Sequence, residues 1–130
     1  MRLFKLIFLL GIAPILSCDD RDPPKSRRLR VEIYRSDIPP RGTVGQQIPI
    51  EASLSATNGC YSDLEMEMVE IDSRHYLLKA TGAFITFGAC PEEMVYQDTI
   101  VYFQPTLPGA YFFQVNQAPF DVRRDTLLVN

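Results

Sequence analysis

The chain has 130 residues, 46% of them apolar and 22% charged, with a single histidine and no tryptophan. That is one domain of ordinary size with a globular balance, which leaves no room for two separate cores, a collagen-like repeat or a chain too polar to fold. The formal charge is −3, and removal of residues 1–17 takes away Arg2 and Lys5 but no acidic group, leaving −5, a poor match to the basic face that nucleic acids require.

In chain order, Met1 to Lys5 supplies two positive charges, and Leu6 to Leu16 forms an apolar run interrupted only by Gly11 and Pro14 before Ser17 and Cys18. As a helix this run spans ~17 Å, well short of the ~30 Å of a bilayer core, so it reads as a secretion signal rather than a permanent span. Its ending, Ile15-Leu16-Ser17-Cys18, resembles the lipobox of bacterial lipoproteins. The resemblance implies a signal peptide over residues 1–17, cleavage that leaves Cys18 first, and lipidation of the Cys18 thiol. An ordinary cleaved signal would leave Cys18 a spare thiol. Three cysteines are an odd number in an exported chain, however, and lipidation of Cys18 leaves Cys60 and Cys90 to pair as a disulfide.

Residues 18–29 contain Asp19, Asp20, Arg21, Asp22 and a Pro23-Pro24 step without apolar periodicity. They read as a tether, at most ~40 Å long when extended. The acidic start looks like the export signal of Bacteroidetes-type lipoproteins, which implies an outer-membrane and even surface-exposed location; a plain solvated spacer accounts for it equally well.

From residue 30 to 130 the dominant signal is period-two alternation in short runs separated by Pro, Gly, Asn and Asp. A first strand covers Arg30 to Arg35, with Val31 and Ile33 on one face. Pro39 to Gly42 breaks the chain, and a second strand covers Gln47 to Ala56, where Pro49 marks an edge or bulge. Asn58-Gly59 turns the chain. Leu64 to Ile71 also fits a helix, but Asp72-Ser73-Arg74 followed by alternation over His75 to Ala80 favours a hairpin. Further strands are expected over Ala83 to Phe87, Asp98 to Phe103, Ala110 to Val115 and Arg124 to Val129. Such spacing suits an all-β sandwich of about seven strands.

Within Pro105 to Phe113, the turn Pro108-Gly109 feeds a strand that begins with Tyr111. This resembles the corner of immunoglobulin-like sandwiches, where a tyrosine hydroxyl bonds to upstream backbone; the alternative is one aromatic among several in an amphipathic strand. More widely, Asn58-Gly59-Cys60-Tyr61, Cys90 in a mid-chain loop, Phe103 to Tyr111 and Asp125 to Val129 resemble a group of small Bacteroidetes lipoproteins with an immunoglobulin-like domain. The resemblance implies a fold and no activity.

Little chemistry is legible. One histidine cannot build a His-rich metal cluster, and the segment after Val115 carries no Cys, His or Met such as a copper protein would need. His75 with Asp72 and Ser73 is better explained as a polar turn than as a hydrolytic triad. Glu92 and Glu93 read as solvated loop residues rather than an acid–base pair. Tyr61, Phe87 and Tyr96 fall near the cysteine loops and either form an aromatic patch or finish the core. The expectation is a lipid-anchored, non-catalytic envelope protein without cofactor or metal. It would meet the membrane through Cys18 and an unidentified protein or glycan through its domain, as a binding or assembly module. A loop-presenting accessory factor, such as a protease inhibitor, is the alternative.

Overall fold

The computed structural model describes residues 26–117 and 121–130; the signal segment, Cys18 and the tether up to Lys25 lie outside the described residues. The described elements are strands in the order β1 (Arg27–Asp37), β2 (Arg41–Gly42), β3 (Ile48–Ala56), β4 (Tyr61–Asp72), β5 (His75–Phe84), β6 (Val95–Phe103), β7 (Gly109–Asn116) and β8 (Val122–Val129). They join in one mixed sheet, β2-β8-β7-β5-β1-β3-β6, with β4 on the remaining edge of β5. The sheet curls strongly into a half-barrel and is not clearly divided into the two layers of a sandwich.

Alternation explains which face closes. Val31, Ile33, Ile48, Ile50, Leu54, Leu64, Leu78, Phe103, Phe113, Val115 and Leu127 all point into the curl and are buried, the period-two consequence of strands wetted on one face. Around them Tyr76, Phe103, Tyr111 and Phe113 pack ring against ring, with Phe103 edge-on to Tyr111 and Phe113 at 5.0 and 5.3 Å, a favoured aromatic geometry.

β1 holds the curl together by changing partners. Arg27 to Val31 pair with Phe84 to Ala80 of β5, whereas Glu32 to Asp37 pair with Ser55 to Glu51 of β3. β1 begins at Arg27, so the last residues read as tether already belong to the sheet. Leu64 to Ile71 lies in strand β4, not in a helix. No separate strand forms over Ala83 to Phe87, because β5 runs unbroken to Phe84. Gly82 permits this: a Cβ there would stand 2.6 Å from Leu64 and 3.3 Å from Tyr61 and Val31, so the bare backbone leaves room for side chains of both neighbouring strands. Pro49 pairs with Tyr102 beyond the last β1–β3 pair, Asp37 with Glu51. Its missing N–H therefore faces no neighbour on the β1 side.

Two clamps complete the frame. The Gln97 side chain on β6 accepts from Leu64 N–H at 3.2 Å and donates to Leu64 C=O at 2.6 Å, joining β6 to β4 where β4 shifts register and Asp63 takes a positive φ of 47°. Arg123 on β8 donates to Ser36 C=O at 2.7 Å and bonds Asp125, tying β8 to the end of β1.

Candidate functional site: the outer face of β1, β3 and β6

Three strands present a cross-strand grid to solvent. On β6, Tyr96, Asp98, Ile100 and Tyr102 point outward, opposite Ser55, Ser53, Glu51 and Pro49 of β3. Beyond β3, β1 adds Glu32, Arg35 and Asp37 opposite Ser55, Ser53 and Glu51. Tyr34 joins them because the β1–β3 register shifts between Ile33 and Arg35. The extra residue leaves Tyr34 and Arg35 both exposed and turns Ser36 inward, as a bulge re-aims the residues around it. Tyr34 then meets Tyr96 edge-on, with ring centroids 5.7 Å apart.

The result is an exposed apolar row on a polar ground. Tyr96 and Tyr102 are each 60% exposed, Ile100 50% and Tyr34 45%. At the strand rise of ~3.4 Å per residue, Tyr96 and Tyr102 stand about 20 Å apart. A shallow depression of about 280 Å³ lies beside the row, lined by Arg35, Asp37, Glu51, Ser53, Asp98 and Ile100 among others. The Ser53 hydroxyl donates to Asp98 at 2.6 Å, which fixes that carboxylate within the depression. Exposed apolar side chains grouped on one face mark a candidate contact site.

The residues singled out from sequence fall in several places. Cys60 and Cys90 form the expected disulfide, with Cα atoms 5.3 Å apart. Of the two readings for the aromatic trio, the patch does not form: Tyr61 finishes the core, edge-on against Phe84, Tyr96 packs against Tyr34, and Phe87 stands 85% exposed in the loop after β5. Glu92 and Glu93 are exposed in the same loop.

At the opposite end, Asp72 accepts from the backbone N–H of Arg74 and His75 at 2.8 and 2.9 Å. It also bonds His75 Nδ1 at 2.8 Å, and the His75 ring stacks on Phe112 at 5.0 Å. These bonds, the Arg74 N–H first, hold the Asp72 carboxyl below its ordinary pKa of 3.8. No hydrogen bond joins Ser73 to the ring among the described residues, so the group is a capped hairpin turn. No set of three or more His, Cys, Asp or Glu side chains is placed to hold a metal ion among the described residues.

Tyr34, Arg35, Ile100 and Tyr102 were missed by sequence reasoning. The β6 row was readable in principle, because Tyr96, Ile100 and Tyr102 share one parity; Tyr34 was not, because nothing in the sequence marks the bulge. Comparison with protein-family models, with curated proteins and with solved structures finds no match.

Proposed function

We propose that this is a lipid-anchored, non-catalytic binding module of the cell envelope, which lays the outer face of β1, β3 and β6 against an extended glycan. The observation that carries the reading is the exposed row Tyr34, Tyr96, Ile100 and Tyr102 beside charged groups on an open face. Sugar rings have apolar faces that suit phenol rings, and hydroxyl edges that suit Arg35, Asp98 and Glu51. The leader and lipobox support the anchor on Cys18, and a Cys60–Cys90 bridge suits an oxidising compartment. The Tyr111 corner supports kinship with immunoglobulin-like domains.

Soluble envelope polysaccharides titrated onto the full protein in detergent test the ligand. Tyr96→Ala and Tyr102→Ala should each weaken binding about tenfold, the factor that ~1.4 kcal/mol produces. Equal binding by both variants and wild type would sink the glycan reading. Labelling with an alkyne fatty acid tests the anchor: it should mark wild type and spare Cys18→Ser. The inhibitor reading draws only on the exposed, disulfide-stapled loop that carries Phe87, and inhibition across a protease panel would favour it.

A further inference from the structure

We infer that the loop between β5 and β6 is a membrane-contacting tip, with Phe87 seated in the lipid headgroup region beneath the domain. The inference rests on the lipid anchor at Cys18 and goes beyond it by fixing which end of the domain faces the bilayer.

The geometry starts from the point where the chain enters the domain. Arg27 opens β1 opposite Phe84, the last residue of β5, and its guanidinium carbon stands 5.7 Å from the Phe84 ring centre. Tyr61, the first residue of β4, pairs with Phe84 from the other side. At this same end β3 finishes at Ala56 opposite Val95, where β6 begins. Phe87 follows Phe84 by three positions, so it stands beside the entry point. Arg27 lies nine residue steps after Cys18, at most ~32 Å of chain even when fully extended. A lipid on Cys18 therefore holds the Phe87 loop within reach of the surface, while the β4–β5 turn at Asp72 lies at the other end of β5.

The loop is built to present its tip. The Cys60–Cys90 bridge staples it to the β3–β4 turn. Gly59 N–H donates to Pro91 C=O at 2.9 Å, and Ile85 N–H to Cys60 C=O at 3.0 Å. A Cβ on Gly59 would come within 3.0 Å of the Pro91 ring, so the ring of one loop rests on the bare glycine of the other. Beyond the staple, Phe87 is the most exposed large apolar side chain among the described residues, at 85%. Gly88 next to it takes φ +117°, a conformation glycine adopts readily, with open space around it. A large ring this exposed has no role in the core. A bilayer interface takes its apolar face.

The absence of tryptophan from the chain gives a direct test. Full lipidated Phe87→Trp, reconstituted in phosphatidylcholine vesicles with brominated acyl chains, should show blue-shifted emission. It should also lose roughly half its intensity to bromines at the ~5–10 Å depth of interfacial side chains. Ile71→Trp, exposed at the far end of the domain, should keep water-like emission in the same vesicles. Water-like, unquenched emission from Phe87→Trp in protein whose mass confirms the lipid would overturn this inference and leave the anchor standing. Equal quenching of the two variants would overturn it as well, by removing any fixed orientation. A mass without acyl chains on Cys18 would overturn the anchor and this inference together.

Discussion

The Tyr111 hydroxyl donates to Leu107 C=O at 2.8 Å and accepts from Leu107 N–H at 3.3 Å, so one oxygen satisfies both backbone groups of a turn residue. The ring itself is buried against Phe103 and carries the Arg74 guanidinium 4.6 Å from its centre. Tyr111→Phe keeps those ring contacts and removes only the oxygen. It should cost about 1 kcal/mol of stability, the net size of an intramolecular hydrogen bond, read as a lower denaturation midpoint with the strand-rich circular dichroism intact; an unchanged midpoint would refute the corner. Tyr111 was legible because a proline–glycine turn precedes it. Arg74 was not, although it donates to Pro108 C=O at 2.9 Å and packs close to Gly109, which holds φ +122°, because its partners lie on a distant strand. Gln97 left one faint trace, a polar residue at the inward parity of β6, but its double bond to Leu64 follows only from where the sheet edges meet.

Strand identity was largely written in the alternation, and the exceptions have local causes. Leu64 to Ile71 satisfies either periodicity on its apolar residues alone, and the turn after it decides the matter. Asp72 caps that turn through the N–H groups of Arg74 and His75, and Arg74 C=O in turn accepts from Phe112 N–H at 2.8 Å. The hairpin and the start of β7 therefore form one unit. Because the folded state holds the Asp72 pKa below 3.8, the ionised carboxylate stabilises the fold above that value, and the contribution is lost as pH falls through the lowered folded value. The midpoint difference between wild type and Asp72→Ala should accordingly be largest near neutrality and shrink once the pH drops below 3.8. A difference that stayed constant down to strongly acid pH would show that the carboxylate charge is irrelevant to the turn.

At the scale of the whole molecule, alternation states which face of a strand is buried but not which strands share hydrogen bonds. That is why a curled single sheet and a two-layer sandwich look alike in sequence, and why the partner exchange within β1 was invisible. The Cys60–Cys90 bridge spans 30 residues and holds the β3–β4 turn to the β5–β6 loop. Replacing both cysteines by serine should cost roughly 2–4 kcal/mol, measured as a drop in the denaturation midpoint under non-reducing conditions; equal midpoints would show that the loops hold without it. β1 has a mechanical consequence as well. A pull on the N-terminal segment along the strand axis reaches β5 through Arg27 to Val31 and β3 through Glu32 to Asp37, loading both ladders in shear so that many bonds share the force. A sideways pull peels Arg27 from Phe84 first and then each pair in turn. The domain is therefore stiff to tension along β1 and weak across it, a directional strength set by one strand with two neighbours.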